Sequence, residues 1–182
     1  MRVIAGEFRS RRLRSIPGQA TRPTPDRLRE TLFDILAPHI EGAIFLDAYA
    51  GTGAVGIEAL SRGAAYAYFL EKNRKALETI RQNLELLELG GRAIVVPGPV
   101  LLTIPQYSAA IVFADPPYTM EREYAGVLGL LAESRASLVV VQHSVRQELA
   151  DEHGVLRRKR VVRQGDNCLS FFSSRPLPAE LI

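Results

Sequence analysis

Residues 44–71 read IFLDAYAGTGAVGIEALSRGAAYAYFLE, and this segment indicates the architecture of the whole chain. Its two ends, 44–47 and 67–71, are short and nearly continuous apolar runs, which is typical of strands buried on both faces of a sheet. Segment 55–62 between them has helical spacing, and the Gly63 that follows is a common helix-ending residue. A strand, a helix and a second strand in this order predict a parallel crossover unit.

The same alternation continues along the chain. Further apolar runs of strand length lie at 93–96, 111–115 and 138–141, and segments with helical spacing lie at 73–89 and 121–133. Asn73 is a favourable N-cap for the first of these helices. Because alternating strands and helices require crossover connections, we predict an α/β fold with a doubly wound, mostly parallel sheet and helices on both faces.

The two ends of the chain depart from this alternation. Segments 155–162 and 167–172 predict an antiparallel C-terminal hairpin at the sheet edge, and 1–8 with 11–16 predict a small N-terminal hairpin extension. A further helix is expected to begin with Thr24 as its cap and Pro25 at its first position. Since no linker or repeat interrupts the sequence, residues 1–182 are predicted to form a single domain, in which 1–23 are a basic arm and 24–182 the core.

The composition is that of a globular protein. Of the 182 residues, 47% are hydrophobic and 24% are charged, which excludes a disordered chain. No run of about 18 apolar residues is present, and the first residues lack the apolar core of a signal peptide. We therefore expect a cytoplasmic protein without a membrane span. The single cysteine, Cys168, has no partner in the chain for a disulfide.

The charges of the chain are unevenly distributed. Residues 1–30 carry eight arginines against three acidic residues, for a net charge of +5, and residues 157–182 carry +4. Residues 31–156 between them carry −6. Basic ends of this kind favour a polyanionic partner, because phosphate contacts supply most of the nonspecific affinity for nucleic acids. The alternative is a basic surface that is only solvated.

The turn after the first predicted strand indicates a cofactor site. Residues 51–56 form the pattern G-x-G-x-x-G, and Glu71 ends the second predicted strand twenty residues after Gly51. Glycines at such a turn let a ligand approach the backbone, and the carboxylate can accept hydrogen bonds from ribose hydroxyls. Asp47 suits the ammonium of a methionine moiety better than a pyrophosphate, which favours S-adenosylmethionine over a nicotinamide dinucleotide. The candidate cofactor-binding residues are Asp47, Ala50, Gly51, Thr52, Gly53, Glu71 and Lys72.

A second motif, Asp115-Pro116-Pro117-Tyr118, follows the fourth predicted strand. The prolines stiffen this turn, which lies at the edge where open α/β sheets bind ligands. Its groups suit the methylation of an exocyclic amine on a planar base, which must be unpaired or flipped out. The Asp115 carboxylate and the Pro116 carbonyl would accept hydrogens from the amine, and Tyr118 would stack on the base. All four residues are therefore candidate catalytic residues.

Five blocks of the chain carry a resemblance to a known family. They are residues 2–8 with 11–13, 21–24 with 26–30, 47–64, 115–118, and 165–166 before the last predicted strand. On these blocks the sequence resembles the RsmD family of bacterial small-subunit ribosomal RNA methyltransferases. The resemblance implies a Rossmann-like class I fold and methyl transfer from S-adenosylmethionine to guanine N2, at the position conventionally numbered 966 in 16S rRNA, within a partly or fully assembled 30S subunit.

The resemblance has one departure. Relatives commonly carry an acidic residue beside the adenine after the third strand, where this chain has Val96-Pro97-Gly98-Pro99-Val100, so backbone groups are left to hold the adenine. For the RNA we expect phosphate contacts from Arg2, Arg9, Arg11, Arg12, Arg14 and Arg22. We expect a monomer, and no metal site, because the three histidines are scattered along the sequence.

Three other functions remain open on the sequence. A DNA adenine-N6 methyltransferase would use the same tetrapeptide, but no additional module for reading duplex sequence is visible. A protein that binds and assembles rRNA without modifying it would be expected to have a damaged catalytic turn, and this turn is intact. A nicotinamide-dependent oxidoreductase would need residues for hydride chemistry, and none are suggested.

Overall fold

The computed structural model describes residues 1–16, 25–118 and 120–176. The helices are α1 (Asp26–Ile40), α2 (Ala54–Ser61), α3 (Arg74–Leu86), α4 (Val100–Thr103) and α5 (Glu121–Ala132), with short 3-10 turns at Gly90–Arg92 and Ile104–Gln106. The strands are β1 (Ile44–Ala48), β2 (Tyr66–Glu71), β3 (Ala93–Pro97), β4 (Ile111–Ala114), β5 (Leu138–Ser144), β6 (Glu152–His153), β7 (Leu156–Gln164) and β8 (Asn167–Ser173). Within these residues, no helix is long and apolar enough to cross a membrane.

All eight strands form one sheet in the order β3-β2-β1-β4-β5-β8-β7-β6. Strands β1 to β5 are parallel to one another, whereas β8 is antiparallel to β5 and β7 is antiparallel to β8. The predicted Rossmann-like α/β fold with an antiparallel C-terminal hairpin is therefore confirmed. The strand order reverses beside β1, and the ends of β1 and β4 lie at that switch point.

Each face of the sheet carries its own hydrophobic core. Successive residues of a strand point to opposite faces, so Phe45 packs with α1, α2 and α3, while the next residue, Leu46, packs with α4 and α5. Val139 and Val140 of β5 divide between the two cores in the same way. Burial on both faces explains why the strands read as continuous apolar runs.

Several helix boundaries in the structure differ by one to a few residues from those predicted from the sequence. The Asn73 side chain caps α3 as predicted, with Oδ1 accepting hydrogen bonds from the Lys75 and Ala76 amides. This helix ends at Leu86 rather than 89, because Glu88 adopts a left-handed φ of 56°. Helix α1 begins at Asp26, so Pro25 precedes it instead of occupying its first position, and Thr24 lies outside the described residues. The sequence pattern missed α4 and β6, which are too short to show a period.

The first sixteen residues pack against the core. The predicted N-terminal hairpin is reduced to one antiparallel bridge, between Arg2 and Arg12. The buried Glu58 carboxylate of α2 accepts hydrogen bonds from the Ile4 and Ala5 amides, at 2.8 and 3.0 Å. The buried guanidinium of Arg29 donates to the Arg2 carbonyl at 2.6 Å. These bonds attach the basic segment to α1 and α2.

Candidate active site

A cavity of about 660 Å³ opens at the carboxyl ends of the parallel strands. It reaches from Glu71 at the end of β2 to Asn167 at the start of β8. The residues that line it include Asp47, Tyr49, Ala50, Gly51, Thr52, Glu71, Lys72, Val100, Asp115, Pro116, Pro117, Tyr118, Gln142 and Asn167. The cavity thus brings together the two motifs that the sequence analysis placed after separate strands.

The turn between β1 and α2 forms one wall of the cavity. Three of its residues have left-handed backbone conformations, with φ of 64° at Tyr49, 56° at Gly51 and 77° at Gly53. An added Cβ at Gly51 would have no neighbour closer than 4.0 Å, so its side-chain position is open space beside the cavity. Gly53 is the exception among the candidate cofactor residues, because it does not line the cavity and instead precedes α2.

The last glycine of the pattern serves packing. A Cβ on Gly56 would lie 2.4 Å from Cε1 of Phe69, so only glycine lets α2 approach β2 this closely. The amide of Gly56 also donates a 2.8 Å hydrogen bond to Oδ2 of Asp47. This bond fixes the Asp47 side chain under the turn.

Two carboxylates at the cavity wall contact backbone amides. Burial raises the pKa of Asp47 well above its usual value, and the bond from Gly56 only partly opposes this. The Glu71 carboxylate accepts hydrogen bonds from the Gly51 amide at 2.9 Å and from the Lys72 and Asn73 amides at 2.8 Å. Glu71 therefore links the end of β2 to the glycine turn.

The candidate catalytic turn lies directly beside the glycine turn. In the register of β1 and β4, Ala48 is opposite Ala114, and the Asp115 amide donates to the Ala48 carbonyl at 3.3 Å. All four residues from Asp115 to Tyr118 line the cavity. Burial raises the pKa of Asp115 to about 7, so this carboxyl changes between its protonated and ionised forms near neutral pH.

Three polar residues that the sequence analysis missed support this turn. The Gln142 amide donates to Oδ2 of Asp115 at 3.3 Å, and the buried Tyr124 hydroxyl donates to the Pro116 carbonyl at 3.1 Å. The Tyr118 hydroxyl donates to Oδ1 of Asn167 at 2.7 Å. Burial raises the pKa of Tyr124, which keeps its hydroxyl protonated as a donor. A polar residue directly after the apolar run 138–141 was the available signal for Gln142.

The arm arginines lie outside the cavity. Arg2, Arg9, Arg11, Arg12 and Arg14 are exposed, and Arg22 lies outside the described residues. Ile16, at the end of the described part of the arm, lines the cavity together with Pro25. The arm therefore approaches the cavity on the side of the glycine turn.

The candidate residues do not include a metal centre. Across the described ranges, no group of three or more histidine, cysteine, aspartate or glutamate side chains could hold a metal ion. Nε2 of His143, one of the three histidines, lies 2.8 Å from Oγ of Ser170, so this ring nitrogen already has a hydrogen-bond partner in the protein.

Known proteins resemble this chain in sequence and in structure. A family model described as Conserved hypothetical protein 95 matches residues 1–173. The Bacillus subtilis protein YlbH is 33% identical over 186 residues, which cover 96% of this chain and 100% of YlbH. Ribosomal RNA small subunit methyltransferase D of Escherichia coli is 43% identical over 120 residues, covering 65% of this chain and 60% of that protein. The solved structure of the E. coli protein yhhF has a TM-score of 0.81 at 33% identity, covering 95% of this chain and 97% of that one.

Proposed function

This chain belongs to the RsmD family of methyltransferases, and on that premise we propose that it transfers a methyl group from S-adenosylmethionine to the exocyclic N2 of a guanine in 16S ribosomal RNA. The proposed target is position 966, in a partly or fully assembled 30S subunit, and the protein acts as a cytoplasmic monomer. Residues 1–23 serve as the RNA-binding arm and residues 24–182 as the catalytic core.

The observation that carries the proposal is the shared cavity of the two turns. The glycine turn after β1 and the Asp115 turn after β4 are joined by the bond from the Asp115 amide to the Ala48 carbonyl. A methyl donor held by the glycine turn and a nucleobase held by the Asp115 turn would therefore be in contact. Catalysis by alignment of two reactants needs this proximity.

The size of the cavity and its carboxylates support S-adenosylmethionine as the ligand. Its volume of about 660 Å³ lies in the range of small-molecule sites. The Glu71 carboxylate would accept hydrogen bonds from the ribose hydroxyls, and Gly51 leaves room for the ligand beside the backbone. An ammonium group next to Asp47 would favour the charged form of this carboxyl, whose pKa is otherwise raised by burial. Val100 on the cavity wall would contact the adenine.

The Asp115 turn would activate the base amine. When bound, S-adenosylmethionine would supply an electrophilic methyl group: the amine nitrogen would form a bond to the methyl carbon as the carbon–sulfur bond breaks, S-adenosylhomocysteine would leave, and the extra proton on the nitrogen would pass to the Asp115 carboxylate or to water. The lone pair of such an amine is delocalised into the ring, so hydrogen bonds from the amine to the Asp115 carboxylate and the Pro116 carbonyl would direct that lone pair out of the ring plane. The Pro116 carbonyl, which already accepts from Tyr124, has a second lone pair for this bond.

Tyr118 would hold the base in place. Its hydroxyl is bonded to Asn167 of β8, which anchors one end of the side chain at the cavity wall. Aromatic stacking on a flipped-out or unpaired base contributes about 1–3 kcal/mol. A paired guanine hides its amine, so the target must leave its helix before methylation.

The experiment that tests the proposal uses ribosomal RNA from cells that lack the protein. The purified protein is incubated with methyl-labelled S-adenosylmethionine and with 30S subunits, free 16S rRNA or DNA, and the methylated nucleosides are identified by mass spectrometry. We expect N2-methylguanosine at position 966. The Asp115→Ala variant should lose methyl transfer while it still binds S-adenosylhomocysteine, and the exposed Asp34→Ala variant should behave as wild type.

Several results would contradict the proposal. N6-methyladenine in DNA would identify the alternative methyltransferase, and full activity of Asp115→Ala would remove the catalytic assignment. Binding of rRNA without any methyl transfer would indicate a binding or assembly protein. Calorimetric binding of a nicotinamide dinucleotide in preference to S-adenosylmethionine would indicate an oxidoreductase.

A further inference from the structure

Basic residues outside the arm are concentrated on β7 and in the loop after β5. Strand β7 contains Arg157, Arg158, Lys159, Arg160 and Arg163, and Arg146 lies in the loop after β5. Two of these are compensated, because Arg157 pairs with Glu152 at 3.0 Å and Arg158 pairs with Asp151.

Arg146 and Arg163 are exposed, and no acidic side chain of the described residues pairs with them. Within residues 1–16, 25–118 and 120–176, neither side chain has an ion pair or a hydrogen bond. Long basic side chains without such partners are available for phosphate oxygens, and the planar guanidinium suits phosphate well. We refer to Arg146 and Arg163 as the β8-side rim.

Neither arginine of the β8-side rim lines the cavity itself, but the backbone places both near a residue that does. Asn167 lines the cavity, and in the register of β7 and β8 it is opposite Gln164, the residue after Arg163. The Val145 amide, next to Arg146, donates to the Asp166 carbonyl at 3.0 Å, which joins the loop after β5 to the tip of the hairpin. Burial lowers the pKa of the His143 ring in β5, and the charge of Arg163 lowers it further.

The arm and the β8-side rim lie on opposite sides of the same opening. Ile16 of the arm contributes to the cavity wall, and the Asn83 side chain of α3 links the Arg14 carbonyl to that of Thr52, in the turn after β1. Four strand spacings separate β1 from β7, which is about 19 Å at about 4.8 Å per step. A short stretch of unpaired RNA spans such a distance.

We propose that Arg146 and Arg163 bind backbone phosphates of the substrate RNA, so that the strand carrying the target base crosses the cavity between the arm and the β8-side rim. The inference rests on the proposed function for the identity of the polyanion. Phosphate contacts on both sides would fix the position of the strand while the base enters the cavity, since such contacts orient a nucleic acid without reading its sequence. The competing explanation is that charges near an edge strand prevent association with other sheets.

The test compares single variants that each remove one positive charge. Arg146→Ala and Arg163→Ala are compared with Arg135→Ala, an exposed arginine between α5 and β5 and therefore at the opposite end of the sheet. Affinity for a 16S rRNA fragment containing position 966 is measured by fluorescence anisotropy between 50 and 200 mM salt. Methyl transfer, S-adenosylhomocysteine binding and Tm are measured on the same proteins.

We expect each rim variant to bind the RNA about five-fold more weakly near 0.1 M salt, and the slope of log affinity against log salt to decrease by about one. KM for RNA should rise, while kcat at saturating RNA and S-adenosylhomocysteine binding stay unchanged. Arg163→Lys should keep most of the salt dependence, and Arg135→Ala should resemble wild type.

Two results would overturn the inference while the proposed function stands. In the first, the wild type binds and methylates the RNA, but both rim variants have the same RNA affinity and the same salt dependence as Arg135→Ala. The other is self-association of the rim variants in size-exclusion chromatography with unchanged RNA affinity, which would support edge protection. If the wild type neither binds nor methylates the RNA, both the inference and the proposed function fail.

Discussion

The side-chain amide of Gln142 donates a hydrogen bond to the carboxylate of Asp115, with Nε2 and Oδ2 3.3 Å apart. Asp115 directly follows β4, and Gln142 lies in the neighbouring parallel strand β5, where Val141 is opposite Ala114. A donor to the charged form of a carboxyl opposes the effect of burial, which raises the pKa of Asp115 to about 7. Gln142 is thus placed as a positioning residue for the proposed acceptor of the amine.

Replacing Gln142 should impair methyl transfer through Asp115. In Gln142→Met we expect kcat to fall about 10- to 100-fold, as for the loss of a hydrogen bond to a charged group, with S-adenosylhomocysteine binding retained. The rate of the wild type should rise with pH around about 7, and the midpoint of the variant should lie higher. Single-turnover rates between pH 5.5 and 9 check both, with the exposed Gln106→Met as control. An unchanged midpoint would contradict this role.

Asp115→Asn should stabilise the protein at alkaline pH while it abolishes activity. The pKa of Asp115 is raised from 3.8 to about 7 in the folded state. As pH rises through this interval, the unfolded chain ionises more readily than the folded one, so the wild type loses the part of its free energy of unfolding that depends on this group. Asparagine removes the cost of the buried charge. Because Asp115 is partly exposed, we expect a gain of about 1–2 kcal/mol, or roughly 3–6 °C in Tm at pH 8.5.

The pH dependence distinguishes this effect from a general stabilisation. Thermal unfolding at pH 4.5 should show little difference between Asp115→Asn and wild type, since the carboxyl is then protonated in the folded state. The exposed Asp34→Asn variant provides the comparison at both values. An equal gain at pH 4.5 and pH 8.5 would rule out the ionisation of Asp115 as its cause.

The ring and the hydroxyl of Tyr118 should contribute separately. Tyr118→Phe keeps the ring and removes the hydroxyl with its 2.7 Å hydrogen bond to Asn167, so kcat/KM for RNA should fall less than about ten-fold. Tyr118→Ala also loses the stacking surface, for which we expect a fall of about 100-fold. Steady-state kinetics with 30S subunits measures both, and equal losses in the two variants would contradict a stacking role.

Gly6 should be essential for the attachment of the arm. Gly6 and Gly42 both have left-handed backbones, with φ of 81° and 70°, but a Cβ would lie 1.8 Å from the Ser61 carbonyl oxygen at Gly6 and have no neighbour within 4 Å at Gly42. Gly42→Ala should therefore cost only about 1 kcal/mol. Gly6→Ala should detach the arm and accelerate trypsin cleavage after its arginines. Equal protection of the two variants in limited proteolysis would show that the contact with Ser61 is not required.

The regular part of the fold was predictable because its signals are local. The apolar runs that became β1 to β5 are continuous, since helices cover both faces of the sheet, and the Asn73 cap is readable within four residues. Short elements such as α4 and β6 show no period over their length and were missed. The same reasoning identified both turns that line the cavity, because each directly follows a strand.

The amino-acid order of this chain was sufficient for the class of fold, the parallel arrangement of its central strands and the two turns that face each other across the cavity. Only the tertiary structure decided the supporting hydrogen bonds, which join Gln142 to Asp115, Asn167 to Tyr118, and Glu58 to the arm. These partners are 27 to 54 residues apart in sequence. Periodicity reports which face of its own helix or strand a residue occupies, whereas contacts between distant segments depend on strand register and helix packing, which arise only when the whole chain folds.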